Sequence, residues 1–196
     1  MSDLRPDLAK IAQHVPEGAR VLDIGCGEGD LMDVLRGDKG VDVRGMEIDP
    51  ELVEKCVSRG LSVVQGDADR DLADYPDGAF DVAILSQTLQ TAARPDYMLD
   101  QLLRIGRTAF VSFPNFAYWK MRFDLMRHGR MPVTRHLPVS WYETKNIHHV
   151  TVKDFRALIA DKGVTVEGAW FFADGREIGD ARPNWRAEHA VFKLSR

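Results

Sequence analysis

Asp23-Ile24-Gly25-Cys26-Gly27-Glu28-Gly29 sets three glycines at alternate positions behind an acid, directly after the apolar run Arg20 to Ile24. Glycines at such a place allow a tight turn and close backbone approach, and the free N–H groups of a following helix favour a negative ligand group. The chemistry this suits is nucleotide binding. The dinucleotide fingerprint G-x-G-x-x-G needs glycine at position 30, where the chain has Asp30, so NAD and FAD are the disfavoured ligands. A second acid, Glu47, stands 22 residues after Gly25 at the end of the next apolar run, where a carboxylate can accept from both ribose hydroxyls. Gly66-Asp67-Ala68 follows a third run and adds a third acid. Each piece has a plainer reading: a simple strand-to-helix connection, solvated caps at Glu47 and Asp49, a turn residue at Asp67. Their occurrence in order, at three successive strand ends, points to one site.

The elements that must position these residues are legible as periodicities. Leu4, Leu8, Ile11 and Ala12 recur at helical spacing with Pro6 suited to a first turn, and Pro16-Glu17-Gly18 ends that helix. Arg20 to Ile24 reads as a strand and Leu31, Met32, Val34 and Leu35 as a helix face; Val41 to Met46 reads as the next strand. Pro50 opens a helix with Leu52, Val53, Cys56 and Val57 on one face, and Gly60 closes it. Leu61 to Val64, Ala79 to Leu85 and Arg107 to Phe113 supply three more strands, with a helix from Pro95 to Ile105 that turns Met98, Leu99, Leu102 and Leu103 inward. Strands alternating with helices imply an α/β, Rossmann-like fold: a mostly parallel twisted sheet with helices on both faces. The last third departs from that rhythm, with a helix N-capped by Thr151, then Val164 to Phe172 and His189 to Leu194 as an antiparallel C-terminal strand pair joined by a loop. The chain shows no repeat or linker, so residues 1–196 are expected to form a single domain.

Composition agrees with a folded, water-exposed chain. Of 196 residues, 44% are hydrophobic and 29% charged, and the formal charge of −4 gives no global attraction to nucleic acid or to an anionic membrane. No stretch reaches the roughly 18 to 20 apolar residues of a membrane span, and residues 1–10 lack a signal-peptide core. A cytoplasmic protein is expected. Cys26 and Cys56 match neither a disulfide framework nor a zinc spacing and sit in apolar patterns.

The turn from Asp23 to Gly29 resembles the first motif of the class I methyltransferases, in which the methionine moiety of S-adenosylmethionine lies over the glycines and an Asp at the place of Asp67 accepts from the adenine amino group. The likeness extends further. Leu4-Arg-Pro-Asp-Leu8, Phe80-Asp-Val-Ala-Ile-Leu-Ser-Gln-Thr-Leu-Gln90, Val111-Ser-Phe-Pro-Asn-Phe116, Gly129-Arg-Met-Pro-Val133 and Trp141-Tyr-Glu-Thr-Lys-Asn-Ile-His148 together resemble the MetW family of methionine biosynthesis proteins over nearly the whole chain. The resemblance implies a class I methyltransferase fold and a role in methionine biosynthesis in association with homoserine O-acetyltransferase. It also implies S-adenosylmethionine or S-adenosylhomocysteine as ligand, held by Asp23, Gly25, Cys26, Gly27, Gly29, Glu47, Ile48, Asp67, Ala68 and Ser86. It names no methyl acceptor. Where amide and amino methyltransferases carry an Asn or Asp-Pro-Pro-Tyr motif, this chain has Ser86-Gln87-Thr88-Leu89, and no acidic or histidine cluster has metal spacing. His148 and His149 are the weak candidates for a base, although adjacent histidines usually point apart.

Residues 115–150 carry Phe116, Tyr118, Trp119, Phe123, Trp141 and Tyr142, together with Lys120, Arg122, Arg127, Arg130, Arg135 and Lys145 and four of the six histidines. A lid over the cleft and a docking surface both fit this composition. Phe116, Trp119, Phe123 and Met126 also fall at helical spacing, as in a helix that packs this face on the core and leaves a basic face in solvent. Two functions follow: a sensor of the nucleotide that acts on the acyltransferase, or a methyltransferase for a small acceptor covered by residues 115–150.

Overall fold

A computed structural model describes residues 4–134, 140–145 and 148–196. Helix α1 (Pro6–His14) leads into an alternating series: β1 (Arg20–Ile24), α2 (Asp30–Lys39), β2 (Asp42–Glu47), α3 (Pro50–Ser58), β3 (Ser62–Gln65), the one-turn α4 (Ala68–Asp71), β4 (Phe80–Ser86), α5 (Pro95–Ile105) and β5 (Gly106–Pro114). Then follow α6 (Trp119–His128), α7 (Val152–Asp161), β6 (Thr165–Ala173), β7 (Arg176–Ile178), the one-turn α8 (Pro183–Arg186) and β8 (His189–Ser195). Local signals set the boundaries. Pro6, Pro50 and Pro95 occupy first-turn positions of α1, α3 and α5, where a missing N–H costs nothing. The side chains of Asp49 and Thr151 accept from the N–H groups of Glu51 and Asp154 and so cap α3 and α7.

The eight strands form one sheet in the order β3-β2-β1-β4-β5-β8-β6-β7. β1 to β5 are parallel, and β8 lies antiparallel between β5 and β6. The expected C-terminal antiparallel pair therefore forms, but the connection between its strands is not a plain loop: it contains β7, which takes the outer edge, and α8. A three-residue strand and a four-residue helix are too short to show a period. The register aligns the carboxyl ends, with Ile24 opposite both Met46 and Leu85, Glu47 opposite Gln65, and Ser86 opposite Ser112. Gly25, Glu47, Gly66 and Ser86 thus arrive at one edge, the place where open α/β sheets bind ligands.

Each face of the sheet is covered. Ile11, Leu31, Met32, Leu35 and Cys56 pack against Val21, Ile84 and Phe110 on one side; Met98, Leu99, Leu102, Phe155 and Ile159 pack against Leu22, Leu85 and Val111 on the other. Two expectations about faces need correction. Val57, expected inward with Cys56, is exposed, because α3 lies over the sheet near its outer strand β3 and only a narrow stripe of it is covered. The apolar stripe Trp119, Phe123 and Met126 does form on α6 but faces solvent; Met121 is the residue that α6 buries instead. Among the described residues no helix is long and apolar enough to cross a membrane.

Candidate functional site

A cleft of about 340 Å³ opens at the carboxyl edge of β1, β2 and β3. Of the residues expected to hold a nucleotide, Gly25, Glu47, Ile48, Asp67 and Ala68 line it, joined by Met46, Leu52, Thr88, Thr91, Met98 and Lys145. Asp23, Cys26, Gly27, Gly29 and Ser86 stand around or behind this wall rather than on it.

The three glycines of the turn have distinct tasks. All have positive φ, which side-chain-bearing residues rarely adopt. A Cβ on Gly25 would lie 2.4 Å from Thr88 Oγ1, so glycine here lets the turn meet the start of the loop after β4. Gly27 meets no atom within 4 Å at its Cβ position, and its N–H donates to Glu47 Oε2 at 2.9 Å. Gly29 permits packing behind the turn, since a Cβ there would sit 2.4 Å from Leu61 Cδ1. Cys26 also faces backward: its Sγ would be 2.8 Å from a Cβ on Gly45, and burial, with Asp23 close by, pushes its thiol far above the ordinary range.

Each of the three acids has a different environment. Buried Glu47 accepts from Gly27 N–H through Oε2 and from the N–H groups of Ile48 and Asp49 through Oε1, at 2.9 and 3.1 Å. Its carboxylate thereby locks the glycine turn to the end of β2 and keeps one lone-pair direction on Oε2 for a ligand. Asp67 caps α4, accepting from Asp69 N–H at 3.0 Å, and Arg70 lies 3.5 Å away. The capping and cleft-lining readings coincide at this residue. Asp23 is buried, and its Oδ1 has no hydrogen-bond partner among the described residues. Burial pushes its pKa up to about 7; the Arg5 guanidinium pulls against this and the Glu47 carboxylate adds to it. A buried carboxyl oxygen without a donor is costly unless a ligand supplies one.

Beside Asp23, a cluster that the sequence reading did not identify ties the N-terminus to the site. Arg5 donates to both carboxylate oxygens of Asp7 at 3.2 Å and to Ser86 Oγ at 2.8 Å. Ser112 Oγ donates to Asp7 Oδ2 at 3.0 Å. The signal available was Arg5-Pro6-Asp7 at a helix start, which carries no information on contacts with β4 and β5. Ser86 belongs to this cluster.

Neither histidine lines the cleft. His148 donates its backbone N–H to the Gln90 carbonyl at 3.0 Å, and His148 Nε2 and Gln90 Oε1 are both buried without a partner among the described residues. The His149 ring packs edge-on against Phe116 at 4.7 Å. From residues 115–150, Lys145 reaches the cleft, while Trp141 and Tyr142 are exposed. Arg135, Asn146 and Ile147 lie outside the described residues. Among the described residues no group of His, Cys, Asp and Glu could hold a metal ion.

A solved S-adenosylmethionine-dependent methyltransferase from Mesorhizobium loti shares this fold, with a TM-score of 0.72 at 18% identity over 97% of this chain and 98% of its own. Among curated proteins, the ubiquinone biosynthesis O-methyltransferase of Xylella fastidiosa is 33% identical over 69% of this chain and 58% of its own length. The bifunctional methionine biosynthesis protein MetXA/MetW of Rhodopirellula baltica is 34% identical over 98% of this chain, which spans 33% of that relative. The sequence model of methionine biosynthesis protein MetW matches residues 5–194. The chain, with its glycine turn locked to Glu47 and its Arg5–Asp7 cluster inside that match, belongs to the MetW family of methionine biosynthesis proteins.

Proposed function

We propose that the cleft binds S-adenosylmethionine or S-adenosylhomocysteine and that the chain acts with homoserine O-acetyltransferase, altering its activity according to the nucleotide bound. The observation that carries the ligand assignment is the buried Asp23 oxygen without a donor, two residues before Gly25. The ammonium of a methionine moiety is the cationic donor that such an atom lacks. Glu47 would take a ribose hydroxyl on its remaining lone pair, and Asp67 with Ala68 would border the adenine. The partner assignment is supported by the relative in which MetXA and MetW are named parts of one protein. A ligand shifts the partner's activity only if it binds two states of the complex with different affinity. Calorimetry with S-adenosylmethionine, S-adenosylhomocysteine and NAD, followed by acyltransferase assays with and without the bound nucleotide, tests both halves. No binding of either sulfur nucleotide, or no ligand-dependent change in rate, would overturn the respective half.

A second reading, a small-molecule methyltransferase, is favoured by the two buried polar atoms Gln90 Oε1 and His148 Nε2 on segments after β4 and α6. S-adenosylmethionine supplies a methyl group on a sulfonium. Neither atom lines the nucleotide cleft, so the acceptor would have to extend from the cleft to them. Its hydroxyl oxygen would take the methyl group, oriented by Gln90 Oε1, and its proton would pass to His148 Nε2. Labelled S-adenosylmethionine incubated with metabolite extract should then give a product that Glu47→Ala and His148→Ala both abolish. No product above those controls counts against this reading.

A further inference from the structure

α6 carries its apolar stripe outward. Of its described residues Met121 alone is buried, while Trp119, Phe123 and Met126 are 40, 49 and 78% exposed. An outward stripe of this kind gains nothing from water and marks an interaction surface. Clefts flank the helix on two sides. One of about 520 Å³ is bordered by Tyr118 and Trp119 and by the turn between β6 and β7; the other, of about 610 Å³, is bordered by Arg122, the start of α7 and α8. The Arg122 guanidinium lies 5.3 Å from the centre of the half-exposed Trp185 ring, which joins α6 to α8. Lys153, on the same cleft, has no acidic partner within 4 Å among the described residues, and neither does Arg122. Exposed Trp, Phe and Met beside an Arg and a Lys without acidic partners is the composition of an interface centre with a basic rim; Arg122 itself is held by its Nε bond to the Ala117 carbonyl at 2.6 Å.

We propose that the α6 stripe and the basic cleft beside it are the docking surface for homoserine O-acetyltransferase, which meets them with an apolar socket edged by carboxylates. This rests on the partnership proposed above and assigns it to named residues. Two observations choose the occupant. The relative that joins MetXA and MetW in one polypeptide points to a protein rather than a small ligand. Charge complementarity supports a protein with an acidic rim: Arg122 and Lys153 have no acidic partner among the described residues, and carboxylates on the acyltransferase would neutralise them.

The test compares the full wild-type chain with Trp119→Ala/Phe123→Ala and Arg122→Glu/Lys153→Glu, measuring affinity for purified homoserine O-acetyltransferase of the same organism, self-association by sedimentation, and S-adenosylhomocysteine affinity. The aromatic pair should weaken acyltransferase binding at least about 30-fold, the size expected of a hot spot, with nucleotide affinity unchanged. The charge reversal should weaken it as well, and wild-type affinity should fall with salt. Should the aromatic variant fail to fold, the charge reversal decides alone. If the wild type binds and both variants bind equally well, the surface is wrong while the partnership stands. If the wild type does not bind, partnership and surface fall together. A wild-type dimer made monomeric by the aromatic substitutions, with acyltransferase binding intact, assigns the face to a second copy and overturns the proposal.

Discussion

The Arg5 guanidinium donates to the Ser86 hydroxyl at 2.8 Å, joining residues 81 positions apart in the chain. The same guanidinium holds Asp7, which accepts from Ser112 as well, so one buried carboxylate connects α1 to the carboxyl ends of β4 and β5. Burial by itself would raise the Asp7 carboxyl. The charges of Arg5 and His189 and the hydrogen bonds from Arg5 and Ser112 outweigh it and hold the carboxyl below its ordinary value.

Removing this carboxylate should therefore cost stability at neutral pH. Asp7→Ala leaves Ser86, Ser112 and Arg5 without their acceptor and is expected to destabilise the fold by about 3 kcal/mol in urea unfolding at pH 7. The sign with pH follows from the depressed pKa. The contribution is present above the unfolded-state value of about 3.9 and is lost as pH falls through the lower folded-state value. Wild type should lose this stability on acidification and Asp7→Asn should not, so parallel acid-limb slopes for the two would remove Asp7 from this role.

The glycines of the turn should separate by task. Gly29→Ala brings a Cβ to 2.4 Å from Leu61 Cδ1 at a φ of +82° and is expected to lower stability by roughly 1 to 3 kcal/mol with nucleotide affinity retained. Gly27→Val meets open space, with strain from its φ of +59° costing roughly 1 to 2 kcal/mol, yet fills the side of the turn that a ligand would approach. Its expected signature is loss of S-adenosylhomocysteine binding in a protein that still melts cooperatively. Retained affinity in Gly27→Val would contradict the assigned approach.

What the sequence conveyed about these residues was their place along the chain, and that was enough for strand ends. Gly25, Glu47 and Asp67 each end or follow a periodic run, and a parallel sheet brings such points to one edge whatever the details. The bond between Arg5 and Ser86 was invisible because nothing local couples residues 81 apart. The orientation of α6 was invisible for another reason. Spacing shows that Trp119, Phe123 and Met126 share a face, but not whether that face meets the sheet or the solvent. Nor could residue type show that the Glu47 carboxylate is already engaged by Gly27, Ile48 and Asp49.

That engagement yields a prediction distinguishing lock from ligand contact. Glu47→Gln keeps size but replaces one carboxylate oxygen by an NH2 that cannot accept, so either the turn or the following loop loses its acceptor. Both stability and nucleotide affinity should fall, each by about 1 to 3 kcal/mol. Asp67→Ala, whose cap bond serves only the one-turn α4, should lower adenosine-nucleotide affinity with a smaller change in stability, about 1 kcal/mol or less. Calorimetry and thermal melts on the two variants read these apart. Unchanged affinity in both would show that neither acid touches the nucleotide.

Asp23 gives the site a pH dependence whose sign is opposite to that of Asp7. Its carboxyl is raised from 3.8 to about 7, chiefly by burial, so between those values the folded protein holds a proton that the unfolded chain has lost. Stability from this group is full below about pH 4 and declines as pH rises toward 7, by a few kcal/mol at most. Relative to Asp23→Asn, ligand-free wild type should therefore become progressively less stable from pH 4 to 7.5. A ligand ammonium placed against Asp23 favours the ionised form, so binding should expel a proton and affinity should rise as pH passes through 7. Calorimetry in two buffers of different ionisation enthalpy measures that proton directly. Asp23→Asn should bind at least about tenfold more weakly, the scale of one charge-assisted hydrogen bond, and release none. Proton release that persists in Asp23→Asn would assign it to another group and leave the buried oxygen without its proposed partner.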